Sequence, residues 1–174
     1  MGTTLEQFAA KCKDALKGKT TTEGGKAVCA LVKDVLKDGE FVAKYIPDGT
    51  PERKVLYEDP ELGFTVLAHG HTGAKGSKPH DHGPSWAIYG QAAGETIMTD
   101  WDCLARPADG TPGKAKHIRD YAMRPGDAHL YDIGVLHSPR REAATRLLRI
   151  EGMNMDRVKR LPYEAVDAVS TAAE

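Results

Sequence analysis

Residues 78–86 read KPHDHGPSW, with His80 and His82 two positions apart, behind Pro79 and ahead of the apolar run WAIYG at 86–90. In an extended strand, side chains two apart leave the same face, so both imidazoles reach one point, and such a pair can hold a metal. Upstream lies the Gly-rich stretch HGHTGAKGSK at 69–78, so 78–86 reads as a strand entering a core. The second half of a metal site has to come from later in the chain. His137, in YDIGVLHSP at 131–139, is the candidate.

Outward from this stretch, the chain from Pro51 onward breaks into short apolar runs separated by Gly, Pro and Asp, the texture of many short strands. Strands are predicted over 53–57, 63–69, 86–91, 95–101, 116–123, 128–131 and 145–152. Turns carry DPELG, GHTGAKGSKP, RPADGTPG and RPGD between them. Two sets of such strands closing on one another make a small antiparallel barrel or jelly roll. Residues 1–46 read differently. Thr3 with Glu6 and Thr20 with Glu23 offer capping boxes, and Leu5, Phe8, Cys12 and Leu16, then Val28, Leu31, Val32 and Val35, follow helical spacing. These helices pad the outside of a β core. Residues 153–174 read as a polar tail with a short helix on Tyr163, Val166 and Val169.

Length and charge bound what the site belongs to. A chain of 174 residues, 40% apolar and 28% charged, supports one core, and it is read as a single domain. Lys and Arg (24) nearly balance Asp and Glu (25), leaving a formal charge of -1 and no large field for phosphate backbones or anionic lipid. Nucleic-acid and membrane partners are therefore not expected. MGTTLEQFAAKCKDALKG has no apolar signal region, and the expected location is cytoplasmic. Cys12, Cys29 and Cys103, odd in number and far apart, read as reduced thiols, the first two buried on helical faces.

Taken together, HDH, then PGD at 125–127, then Asp132, Ile133, Gly134 and His137, resemble the two motifs of a cupin, the double-stranded β-helix fold in which both motifs supply metal ligands. Gly126, Gly134 and His137 match the second motif, while Asp132 stands where Pro is common and Arg141 where Asn is. The resemblance covers most of 53–152 and implies a mainly β jelly-roll barrel with an N-terminal α-helical extension. Most cupins place a Glu shortly after HxH, but Gly83, Pro84, Ser85, Trp86 and Ala87 leave no carboxylate there. Three histidines without an acid resemble the thiol dioxygenases, the cysteine and mercaptopropionate dioxygenases. HDHGPSW resembles the start of that family's first motif, and GETIMTDW at 94–101 and YDIGVLHSP at 131–139 resemble its corresponding strands. The family departs from this chain at 145–152, TRLLRIEG, where Leu147, Arg149 and Glu151 stand in place of its Ser, His and Tyr.

The resemblance implies Fe(II) on His80, His82 and His137, with Arg53 gripping the carboxylate of a small thiol substrate that is oxidised by O2 to its sulfinate. Three neutral imidazoles leave the ion's two positive charges uncompensated, which favours an anionic thiolate ligand. Arg149 is a second possible carboxylate anchor, and Tyr131 a stand-in for the family's missing tyrosine. His69 and His71 repeat the two-residue spacing but are read as pocket lining or surface, His129 as a barrel histidine, His117 as solvated, and Trp86 and Tyr89 as barrel filling. The segment 70–78 is a possible lid. The same imidazoles accept Mn, Zn or Ni, so a cupin of other chemistry (another dioxygenase, an isomerase or a lyase) or a non-enzymatic metal- or small-molecule-binding cupin stays open. Exposed strand edges leave a homodimer possible.

Overall fold

A computed structural model describes residues 2–166. Three helices come first: α1 (Leu5–Leu16), α2 (Thr21–Val35) and α3 (Gly39–Tyr45). The first capping box is built by Thr4 and Gln7, one residue later than the sequence suggests, because Thr4 is the residue that holds an extended backbone before the first turn. Thr20 and Glu23 form the second as expected. Asp38 caps α3 by accepting from Glu40 and Phe41 amides.

Ten strands follow: β1 (Lys54–Glu58), β2 (Thr65–His71), β3 (Lys75–Gly76), β4 (Ala87–Ala93), β5 (Thr96–Ala105), β6 (Gly113–Met123), β7 (Ala128–Tyr131), β8 (Leu136–Arg141), β9 (Thr145–Glu151) and β10 (Tyr163–Val166). They form two five-stranded sheets, ordered β1-β2-β9-β4-β7 and β10-β6-β5-β8-β3. This is the mainly β, double-stranded β-helix architecture with a helical extension that the sequence motifs imply.

Side-chain alternation decides what each face of the first sheet meets. Val66, Ala68, Ile88, Leu148 and Ile150 point to one side and pack with Phe8, Val28, Val32 and Phe41 of the helices in one core. Ala87, Tyr89 and Leu147 point to the other and join Met98, Met123 and Tyr131 inside the barrel. At Gly90 α2 packs tightly on the sheet: a Cβ there would lie 2.5 Å from Val32 Cγ1. A side chain at 90 would push helix and sheet apart. Gly126 (φ +95) and Gly134 (φ +76) open the turns into β7 and β8, in a left-handed backbone region that favours glycine.

Three sequence expectations change. His80 and His82 do not lie on a strand: His80 makes a single bridge to His137, and the chain then turns, Ser85 N–H donating to His82 O, before β4 begins at Ala87. β8 falls outside the strands that apolar runs predict, because Pro139 and its charged neighbours break the pattern, although the family resemblance marks 131–139 as strand; it is held between β5 and β3. The tail helix is instead β10, parallel to β6, with Tyr163 buried. The open backbone groups of the β6 edge capture this segment, which three-residue spacing alone read as helical. Val169 lies outside the described residues.

Candidate metal centre and its cavity

β8 carries His137 into the barrel, and the bridge between residues 80 and 137 draws the KPHDHG loop onto it, His80 N–H donating to His137 O and His137 N–H to His80 O, each at 3.0 Å. Pro79 is buried at the start of that loop. As a result, one ring nitrogen from each of His80, His82 and His137 lies within 4.8 Å of the others. Among the described residues the group contains no carboxylate. His82 and His137 are 1% and 0% exposed, so the rings are withdrawn from water.

Backbone carbonyls set two of the three rings. His80 Nδ1–H donates to Lys78 O at 2.9 Å and His137 Nδ1–H to Val135 O at 3.2 Å. A carbonyl only accepts, so each ring keeps its Nε2 lone pair free. His82 Nε2 lies 3.2 Å from His137 Nε2. Two nitrogens each about 2.1 Å from a shared cation stand roughly 3 Å apart, so the spacing suits a metal. Burial, above all, holds protonation of His82 and His137 well below the usual imidazole range, and draws His80 down to about 4. Neutral imidazoles are the form that ligates. The residues therefore fit the ion their motif implies.

The third ring has a different neighbour. Arg149 Nη2 lies 3.2 Å from His82 Nδ1 and donates to it. Seen from the same guanidinium, Tyr89 lies beneath, its ring centroid 4.5 Å from Cζ, and Glu151 Oε1 is 3.1 Å from Nε. A cation on His82 Nε2 requires a proton on Nδ1, so the ion and this arginine donor compete for the ring.

Tyr89, read from sequence as barrel filling, is the tyrosine at the site. Its hydroxyl stands 3.2 Å from both His82 Nε2 and His137 Nε2, and burial raises its pKa. Tyr131, the sequence candidate, has another place: its ring stacks on His137 with centroids 3.9 Å apart, while its hydroxyl is 2.6 Å from that of Tyr121. Tyr131 therefore packs the metal ring rather than reaching the cavity. Parity was the signal for Tyr89, which is two residues past Ala87 and so shares its inward face. Trp86 faces the helices, 5% exposed, in the outer core.

A cavity of 460 Å³ opens beside His80 and Tyr89. Its lining includes Arg53, Arg141, Arg149 and Arg160 against Glu52 and Asp156, so positive charge predominates. His69 and His71 line it too, and His69 Nε2 is buried with no hydrogen-bond partner among the described residues. Burial, reinforced by the Arg149 and Arg53 guanidiniums, pushes His69 down to about 2. Ser77 contributes to the lining from the 70–78 segment, whose β3 is pinned to β8. His129 is exposed, not interior, its ring 4.9 Å from Tyr121. His117 is exposed and paired with Asp120 at 3.0 Å, as expected of a solvated residue.

Arg53 reaches the rim, but its fork is already filled. Nη1 and Nη2 donate to Glu151 Oε1 and Oε2 at 3.0 Å each, Nη2 also to Asn154 Oδ1, and Nε lies 2.8 Å from Asp156. Glu151 is fully buried and takes a further bond from Met155 N–H. A planar guanidinium that already makes two parallel bonds to one carboxylate presents no second fork to a ligand. Arg53, the anchor expected from the resemblance, is thus engaged in neutralising Glu151.

No protein-family model matches the chain, and no curated protein matches it. Solved structures do match. DMSP lyase DddQ from Ruegeria pomeroyi aligns at 14% identity over 63% of this chain and 50% of its own, with a TM-score of 0.45. KdgF from Halomonas sp. aligns at 15% identity, 64% and 88% coverage and a TM-score of 0.44. A cupin superfamily protein from Desulfitobacterium hafniense aligns at 12% identity, 59% and 76% coverage and a TM-score of 0.42.

Proposed function

We propose that this chain is an Fe(II)-dependent thiol dioxygenase that converts a small carboxylated thiol and O2 to the corresponding sulfinate. The observation that carries the reading is the gathering of His80, His82 and His137, three neutral imidazoles without a carboxylate, beside a cavity of predominantly positive lining. Such a ligand set leaves a dication's charge uncompensated, and an anionic thiolate compensates it. Iron bound there supplies electron transfer between sulfur and dioxygen.

The protein's own contribution is placement. Positive lining draws the substrate anion in and holds its carboxylate. The Tyr89 hydroxyl, beside the two Nε2 atoms, offers a hydrogen bond at the reacting end. Burial of His82, His137 and Tyr89 keeps bulk water from that end. The electrons balance within the two substrates: sulfur gives up four, dioxygen takes four, both oxygen atoms end on sulfur, and no outside reductant is needed.

An oxygen electrode tests the proposal. Iron-loaded protein is mixed with cysteine, 3-mercaptopropionate and related small thiols, and sulfinate is identified by mass. Oxygen uptake matched by sulfinate supports the reading. Absence of uptake with every thiol, with Mn, Zn or Ni as the metal recovered, overturns it in favour of another metal-dependent chemistry.

A further inference from the structure

Arg141 is 6% exposed and lines the cavity, yet it makes no salt bridge among the described residues, and its Nε is buried without a hydrogen-bond partner. The other two inner arginines share the unbonded Nε but differ in charge pairing. Arg53 and Arg149 both lean on the buried carboxylate of Glu151. The acid whose charge Arg141 feels, Glu52, is exposed and is itself engaged by Lys75. A guanidinium withdrawn from water without a counter-charge is costly, and burial draws its pKa down accordingly. A buried polar group without a partner is exceptional in native chains and calls for a functional explanation.

Strand parity says where this charge points. Arg141 follows His137 by four residues on β8, with Pro139 between them, and alternation sends all three to one face. Pro139 and Arg141 both line the cavity, as do His71 and Tyr89. His69, whose Nε2 is buried without a hydrogen-bond partner among the described residues, lines the same space. One cavity thus holds an unpaired cation, with His80 of the metal group in its lining.

We infer that Arg141 receives the carboxylate of the cavity's ligand, in the role that Arg53 cannot fill while Glu151 occupies its fork. Arg141 is then a specificity-determining residue for carboxylated over neutral ligands. The assignment of the ligand's other end to a thiol at the histidines rests on the proposed function; the carboxylate subsite does not. The five N–H donors of Arg141 offer a planar oxyanion two parallel bonds.

The probe is succinate, with succinamide as its neutral counterpart at matched ionic strength, read by thermal shift on the full chain without thiol or oxygen. Succinate is expected to raise the melting temperature of the native protein and succinamide to leave it unchanged. Arg141→Met should abolish the succinate shift while its own melting temperature stays level or rises, since an unpaired buried charge has been removed. Arg141→Lys should keep only part of the shift. A full succinate shift in Arg141→Met overturns the inference. So does an Arg141→Met protein that melts lower and binds succinate as before. Turnover separates this from the dioxygenase reading: 3-mercaptopropionate oxidised by Arg141→Met with an unchanged KM sinks the subsite and leaves the reading standing. Arg141-dependent succinate binding with no thiol oxidised does the reverse.

Discussion

The chain contains two histidine pairs of the same spacing, His69 with His71 and His80 with His82, and the structure treats them differently. The first pair sits on β2, where alternation puts both rings on one face, nearly parallel, with centroids 6.4 Å apart. The second pair lies off any strand, its rings at 86° with centroids 5.7 Å apart, and His137 approaches to 4.7 and 4.9 Å of them. Regular strand geometry aligns two rings but does not make them converge. Convergence came from a turn and from a partner strand 55 residues further on.

Charged residues behind the rings sharpen the contrast. Glu151 is fully buried and ties together Arg53 and Arg149, the arginine that touches His82. Glu151→Gln leaves two guanidiniums facing a buried neutral amide. It should lower stability by about 4 kcal/mol, as removal of one partner from a buried ion pair does, read by urea denaturation. A loss below about 1 kcal/mol would mean that the arginines re-pair elsewhere.

The next largest effect separates the two pairs directly. His137→Ala should weaken Fe(II) or Co(II) binding by at least about 100-fold, a greater loss than outer partners of a metal ligand normally cause, whereas His69→Ala should leave metal stoichiometry at that of the native chain. Equal losses in both variants would place the ion between the pairs and break the comparison.

Acid tests the strand pair. His69 has a folded pKa pushed down to about 2, against roughly 6.5 in an unfolded chain. Above pH 6.5 the ring is neutral in both states and contributes no pH dependence. Below it the unfolded chain takes up a proton that the folded one refuses, so stability falls with pH, by about 2 kcal/mol from this residue between pH 6.5 and 5. In metal-free protein, His69→Leu should lose about that much less over the same interval in urea titrations. Parallel pH profiles would show the ring to be solvated.

The smallest expected change lies at the competition for His82. Arg149→Ala removes a cation and a donor from Nδ1, which frees that nitrogen to carry its proton while Nε2 ligates. Metal affinity should rise by about tenfold, or about 1.4 kcal/mol, in chelator competition. An affinity that falls instead would make Arg149 a support of the site.

Much of this was legible in the sequence. The change from helical spacing to short interrupted runs at Pro51 marked the helical extension and the barrel, since side-chain periodicity is a local property. HDH, His137 and the lack of an acid at 83–87 likewise need only the order of residues to be noticed. Residues 136–141, which apolar pattern leaves out, and 163–166, which it reads as helix, are strands because neighbouring edges supply their hydrogen bonds. Local pattern does not encode an edge.

The residues themselves thus determined the ligand types, their spacing and the β texture around them. Tertiary structure alone decided which polar group serves which partner. Glu151 fills the fork of Arg53 from 98 residues away, and Tyr89 rather than Tyr131 turns its hydroxyl to the imidazoles. Arg141 is buried without a carboxylate partner among the described residues. A charged side chain takes whatever counter-charge the packing of strands brings within about 4 Å, and the register of β2, β9 and β4, not the chain's order, sets that distance.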